Sequence, residues 1–352
     1  MQKIVTVYPL LSTHTNLTDQ DAFVRLLPIE DPTDPEEGLF LYASKEAISY
    51  PEPEIALSKK LSTPLGIVKP QDSTFSTRDQ TNLSFLARFI NKEKNSVMFR
   101  FDIFSKLVSE PLLLMRLFAP GDIFVTHAIP SGYPALKLAS DFEGLQKHYY
   151  FNQDEILVFK SFFQNYWKKL RILDPYIKQT GPLAQWSKKI GNALYFFNKS
   201  YFTKTQTSLD PDSRPGNIDR LMALITALDA LFGISPSGDE LAQNASCLLK
   251  YFYKDSEKNI KEFYELRSNW VHANEHKLTS RIPNRRIERL SQYVQKACLI
   301  SLELFCNEAI RNGYTASGKR HMIHYLTLLP KEVEAATQTV KDSGQSYDRW
   351  ES

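Results

Sequence analysis

The spacing of apolar residues along the chain changes near residue 150. Before that point, short runs of β-branched and aromatic residues alternate with stretches rich in proline and acidic residues, which predicts strands joined by loops. Leu112–Phe118 is apolar except for Arg116, and its periodicity fits a buried strand or a short helix equally well. We therefore expect a mixed α/β domain over residues 1–149. Its strand-like runs are Ile4–Tyr8, Gly38–Tyr42, Val97–Ile103 and Ile123–Ile129.

From about residue 152 onward, apolar residues recur at spacings of three and four, which is the period of an α-helix. Glycines such as Gly233 and Gly313 follow two of the segments and indicate helix ends. This pattern predicts an all-α helical bundle over residues 150–312, followed by a basic and then polar tail over residues 313–352. The whole chain is therefore expected to be of the α+β class. The predicted helices are Asp154–Leu170, Leu183–Tyr201, Ile218–Phe232, Glu240–Tyr253, Lys258–Ala273 and Arg285–Arg311.

Composition narrows the classes of function. The chain has 352 residues with a net charge of +3, so an anionic partner would have to bind to a local patch. Its 13 glycines are never closer than five positions apart, which excludes a G-x-G-x-x-G dinucleotide loop. No apolar run approaches the roughly 18 residues that span a bilayer. Cys247, Cys298 and Cys306 form no C-x-x-C pair, so we expect reduced core residues in a cytoplasmic protein without a cofactor or metal.

The most informative segment is Lys261–His272. On an ideal helix, Arg267 lies inside an apolar arc, about 40° from Phe263, whereas His272 lies on the opposite side, about 180° from Phe263. A charge inside an apolar arc is costly without a partner, and Asp229, on the flank of another apolar stripe, is a natural one. The pattern alone leaves alternatives open, since Arg267 fits a structural ion pair and His272 fits an ordinary surface residue.

The residues Arg267-Ser-Asn-Trp-Val-His272 form an R-x4-H motif near a helix end, and this motif resembles the signature of the HEPN superfamily. Four blocks in order, over residues about 183–310, resemble its Apea-like branch more specifically. Ser268 stands where the superfamily commonly has Asn, Asp or His, and Asp229 stands where the branch has a glutamate. The four blocks are Ala193–Tyr201, Asp219–Phe232, Leu241–Leu249 and Tyr264–His272.

The resemblance implies a metal-independent endoribonuclease that acts as a homodimer and attacks RNA through the ribose 2′-OH. His272 would then serve as general acid–base and Arg267 would bind the scissile phosphate, with Ser268 and Asn269 orienting either group and Asp229 in support. It further implies a growth-arresting effector in prokaryotic anti-phage defence or a toxin–antitoxin pair. The N-terminal half would then sense a phage trigger or restrain activity, and an antitoxin protein would be a partner. The alternative, favoured by Ser268, is a non-catalytic HEPN module for dimerisation or RNA binding.

Five cations follow the motif within thirteen residues, against the single acid Glu288. Such a patch beside the motif predicts contacts with an RNA backbone. The alternative is a solvated loop and helix start. The five cations are Lys277, Arg281, Arg285, Arg286 and Arg289.

Overall fold

A computed structural model describes part of the chain. The described residues are 2–11, 13–15, 23–27, 38–44, 83–92, 101–119, 124–125, 127–130, 136–137, 149–151, 153–201, 216–232, 237–272, 282–311 and 330–343. Side chains are described for 152 of them, namely 109–119, 157–201, 217–232, 237–272, 282–311 and 330–343. Within these ranges the chain forms two compact units, and the first contains residues 1–116 and 121–164. The second contains residues 117–120 and 165–352.

The described residues include eight α-helices. Local sequence signals account for two of their starts. Pro182 occupies the first turn of one helix, where its missing N–H is not needed, and the Ser237 hydroxyl accepts a hydrogen bond from the Glu240 N–H at 3.3 Å. The helices are α1 (Phe101–Phe118), α2 (Gln153–Ile177), α3 (Pro182–Lys199), α4 (Gly216–Phe232), α5 (Gly238–Leu249), α6 (Ser256–Val271), α7 (Asn284–Arg311) and α8 (Pro330–Asp342).

Helix α7 is the central element of the second unit, because α3, α4, α5, α6 and α8 all pack against it. Its buried residues run from Ile287 to Ala309. The Phe305 ring meets Trp186 and Tyr176 edge-on, with centroid separations of 5.6 and 5.4 Å. Burial of each such side chain contributes about 1.5–3 kcal/mol, so the aromatic cluster around α7 is a main source of stability in this unit.

The strands are described by their main chain alone. They are β1 (Gln2–Leu11), β2 (Thr13–Thr15), β3 (Phe23–Leu27), β4 (Gly38–Ser44), β5 (Leu83–Lys92), β6 (Phe124–Val125), β7 (His127–Pro130), β8 (Leu136–Lys137) and β9 (Tyr149–Phe151). β1 pairs antiparallel with β5, β4 pairs antiparallel with β5, and the short β2 and β9 pair in parallel. The larger sheet has the order β3-β4-β5-β1-β7-β8, and β6 also pairs with β1.

The expected α+β class, with a mixed α/β domain before a helical bundle, is wrong. The 152 residues with described side chains are 88% helical and include no strand, so the described core is all-α. Leu112–Phe118 is helical, and the last three residues of the predicted strand Val97–Ile103 begin α1. The physical reason is burial, because residues 111–119 are buried on every side and a helix without a polar face shows no amphipathic period.

The division of the chain into residues 1–149, 150–312 and 313–352, and the role assigned to each segment, stay predictions. Helix α8 lies within the last of these segments and packs on α7 through Val333, Ala336 and Val340. None of the described helices has the length and apolar character that a membrane crossing requires.

Candidate functional site

The first half of helix α6 is anchored in the core of the second unit. Ile260 and Phe263 are buried, and α6 packs against α4, α5 and α7. The ring of Tyr264 lies directly over the start of α5, so close that a Cβ on Gly238 would approach its Cδ1 to 2.6 Å. These contacts fix the axis of α6 and therefore the position of the residues that follow Tyr264.

The R-x4-H motif occupies the exposed end of α6. The helix ends at Val271, and His272 is its C-cap, with its main-chain N–H donating to the Ser268 carbonyl at 3.0 Å. Arg267, Ser268 and Asn269 are half-buried, whereas His272 is exposed. The imidazole of His272 is therefore accessible to solvent. It lies more than one turn beyond Arg267, whose guanidinium group is partly enclosed.

The predicted apolar arc of α6 is buried only over its first part. Trp270 is 44% exposed and Val271 is 49% exposed, although the helical spacing places both on the same apolar arc as Phe263. Two consecutive apolar residues, immediately before His272 in the sequence, are therefore exposed to solvent. Sequence reasoning missed this, because the apolar period continues to Val271 without any sign of where the packing stops.

Arg267 lies between an aromatic ring and a carboxyl group. Its guanidinium carbon is 5.6 Å from the centroid of the Tyr264 ring, a distance that permits a cation–π contact. Asp229 on α4 interacts electrostatically with the positive charge of Arg267, but the two side chains form no hydrogen bond or ion pair within the described part of the chain. The expected pairing of Arg267 with Asp229 is therefore an electrostatic interaction at longer range.

Asp229 is an unusual carboxyl group. It is half-buried, and its Oδ1 atom is buried without a hydrogen-bond partner among the described residues. Burial raises the pKa of Asp229 to about 6, and the nearby charge of Arg267 opposes this by lowering it. Desolvation is the larger of the two effects, so the ionised form of Asp229 lowers the stability of the folded protein at neutral pH.

The predicted basic patch divides into two kinds of residue. Arg286 Nη2 lies 2.9 Å from Glu262 Oε2, and its guanidinium carbon is 5.2 Å from the Phe263 ring centroid. Arg285 and Arg289 are exposed and lie one turn apart on α7, so they share a face. Lys277 and Arg281 lie outside the described residues. Glu262 precedes Arg286 by 24 residues, and no local pattern in the sequence indicates their pairing.

The start of α7, which carries these arginines, is fixed by a hydrogen-bonded asparagine. Asn217 at the beginning of α4 is buried, and its Nδ2 donates to the Ile282 carbonyl and to Asn284 Oδ1, both at 2.8 Å. Together with the Glu262–Arg286 ion pair, this places the basic start of α7 beside the helix that carries the motif.

Comparison with known proteins gives no match to a family model, to a curated protein or to a solved structure. The resemblance to the HEPN superfamily therefore stays a prediction. Among the residues that the structure describes, no group of three histidine, cysteine, aspartate or glutamate side chains is arranged to hold a metal ion. Cys298 and Cys306 are free and buried in α7, and Cys247 is free and half-buried.

Proposed function

We propose that this chain is a metal-independent endoribonuclease in which Arg267 and His272 carry the reaction. The observation that carries the proposal is the R-x4-H motif at the exposed end of a helix whose first half is anchored in the core. The arginine is partly enclosed and close to an acid, and the histidine is open to a substrate. This combination supports phosphate binding by one side chain and proton transfer by the other.

The chemistry is a transesterification followed by release. A base removes the proton of the ribose 2′-OH, the 2′ oxygen forms a bond to phosphorus, and the bond from phosphorus to the 5′ oxygen breaks. An acid protonates the departing 5′ oxygen, which leaves a cyclic phosphate and a 5′-OH. Histidine is the usual residue for both proton transfers, and a guanidinium stabilises the charge that develops on the phosphate oxygens. In this proposal Ser268 and Asn269 orient either group.

A homodimer is part of the proposal, because one helix presents one histidine and the reaction needs both a base and an acid. A second copy would supply a second Arg267 and His272. The exposed Trp270 and Val271 support this arrangement, since these two residues within the motif leave apolar side chains uncovered at the end of α6. The proposed biological role is growth arrest in prokaryotic anti-phage defence or a toxin–antitoxin pair, in the cytoplasm, with a phage trigger or an antitoxin as partner.

The test compares three proteins with a matched control. Wild type, His272→Ala and Arg267→Ala are expressed, growth is followed, and cleavage of total RNA is measured in EDTA. Ile310→Ala is the control, because Ile310 is an exposed residue near a helix end, as His272 is, but lies outside the motif. We expect loss of toxicity and of cleavage in the two motif variants and none in the control. Equal cleavage by all four proteins would overturn the proposal.

The second candidate is a non-catalytic HEPN module that dimerises or binds RNA, and Ser268 favours it because of its departure from the motif. This candidate predicts RNA binding without cleavage in any of the four proteins. Replacement of Ser268 by Asn distinguishes the two candidates further. Increased cleavage in Ser268→Asn would support a weakened catalyst, whereas RNA binding with no cleavage in that variant would support the module.

A further inference from the structure

Helix α3 has an unusual charge pattern. It contains Lys188, Lys189 and Lys199 and no acidic residue over its eighteen positions. One face, which includes Trp186, Ile190 and others, is buried against α4 and α7. The charged residues of α3 are therefore all basic, in a chain whose net charge is only +3.

The exposed face of α3 carries an aromatic residue between two lysines. Lys188, Asn192, Tyr195 and Lys199 are all exposed, and on an ideal helix they fall within an arc of about 60°. They form a line about 16 Å long, given a rise of about 1.5 Å per residue. Tyr195 is 61% exposed, which is the second highest value among the exposed large hydrophobic residues described.

Phe196 supports Tyr195 from the side. The two rings meet edge-on with centroids 5.2 Å apart, and Lys199 Nζ lies 6.0 Å from the Phe196 centroid. This contact restrains the Tyr195 ring without covering it. An isolated exposed aromatic residue needs no explanation, but a supported ring in line with two cations on an acid-free helix fits a particular ligand.

We infer that this face of α3 binds single-stranded RNA, with a base stacked on Tyr195 and phosphates near Lys188 and Lys199. A single strand presents both an exposed base face and a charged backbone, and every base has a face that can stack on an aromatic ring. An acidic protein surface would match the lysines but not the exposed ring. The inference rests on the proposed function for the choice of RNA, and it deepens that function by adding a contact outside the motif.

The test uses the full chain with His272→Ala and a short fluorescein-labelled 2′-O-methyl oligouridine measured by anisotropy, because a probe without a free 2′-OH is not cut by 2′-OH attack in any variant. Replacement of Tyr195 by Ala is expected to weaken binding about 5-fold or more, because loss of one stacked base has an effect of at least that size. Tyr195→Phe retains the ring and is expected to stay within about 2-fold of the parent. Ile310→Ala is the control for loss of an exposed apolar side chain.

A salt series tests the lysines. Each phosphate contact on a single strand contributes about 0.7 to the slope of log K against log salt, so Lys188→Gln with Lys199→Gln is expected to reduce the slope by about 1.4. Lys250→Gln is the matched control, because Lys250 is an exposed lysine 5.3 Å from the Tyr251 ring centroid on another helix end. An unchanged slope, or equal losses in Tyr195→Ala and Ile310→Ala, would overturn the inference. So would equal binding of a blunt RNA duplex by the parent protein.

The two proposals fail separately. If His272→Ala abolishes cleavage while Tyr195→Ala leaves binding unchanged, the nuclease proposal is supported and the inference of an RNA-binding face on α3 is wrong. If Tyr195→Ala weakens binding while His272→Ala cleaves as well as wild type, the α3 surface stands and the catalytic assignment is wrong.

Discussion

Replacement of Asp229 by Asn is expected to stabilise the protein and to impair its chemistry. The native pKa of this carboxyl, about 6, lies above its ordinary value of 3.8 because burial disfavours the charged form. The native state therefore holds the proton more tightly than the unfolded state does. The contribution of this carboxyl to stability is fully present below about pH 4 and is lost as the pH rises through 6, because the native carboxyl must then ionise in a partly buried place.

The magnitude follows from the difference between the two pKa values. A shift from 3.8 to about 6 corresponds to about 3 kcal/mol at neutral pH before screening. Because the side chain is only half-buried, solvent reduces this, and a penalty of about 1–2 kcal/mol is reasonable. Asparagine keeps the shape and removes the charge, so Asp229→Asn should raise the free energy of unfolding by about 1–2 kcal/mol at pH 7.5.

The assay is urea denaturation of wild type and Asp229→Asn at pH 7.5 and at pH 4.5. The stabilisation should shrink strongly at the lower pH, where the native carboxyl of the wild type is already protonated. The control is Asp219→Asn, the same change at an exposed position in the first turn of α4. It should slightly destabilise the protein, by about 0.3–1 kcal/mol, since a negative charge near a helix N-terminus is favourable.

Cleavage is measured on the same variants. If Asp229 supports Arg267 by its charge, Asp229→Asn should be more stable and less active, which is typical of a residue retained for function at a cost in stability. Destabilisation of Asp229→Asn by the same amount at both pH values would refute the reasoning. That result would mean that Asp229 serves the fold through a hydrogen bond rather than the site through its charge.

Three further changes test a buried ion pair, a close contact of Tyr264 and the proposed dimer surface. Glu303→Ala should destabilise the second unit by about 3–5 kcal/mol in urea, because it leaves Lys169 without the carboxylate 2.6 Å from its Nζ, whereas replacing both residues by apolar ones should restore much of the loss. Gly238→Ala should lower the urea midpoint by an amount equivalent to about 1–3 kcal/mol, since the added Cβ would meet Tyr264; no change would show that the ring shifts freely. If the proposed homodimer forms, Trp270→Ala should shift it to monomer in native mass spectrometry, and an unchanged dimer would exclude this end of α6 from the interface.

Much of the helical part was predictable because its apolar faces are regular. The predicted segments 183–201, 258–273 and 285–311 correspond to α3, α6 and α7 within two residues at each end. Helix α8 was missed although Val333, Ala336 and Val340 are spaced by three and four, because its polar flanks indicated a tail. Helix α1 was ambiguous because all of its last residues are buried, so no polar face revealed its period.

Only those residues of the candidate site that lie on a single helix could be predicted from the sequence. Arg267 and His272 lie on one helix, so their spacing alone places both at its end, although about 140° apart around the helix axis. The pairing of Arg286 with Glu262 depends on how α6 and α7 pack, which no spacing along the chain reveals. The exposure of Trp270 likewise depends on where the neighbouring helices end, so its meaning appears only when the bundle is assembled.

The position of His272 at the end of α6 has a consequence for chemical rescue. Its main-chain N–H caps the helix, while its imidazole forms no hydrogen bond with the described residues. Removal of the ring therefore leaves the helix end intact and leaves a solvent-facing space at the end of α6. Free imidazole added to His272→Ala can diffuse into that space, and restored RNA cleavage that increases with imidazole concentration would identify the missing ring as the group that transfers the proton.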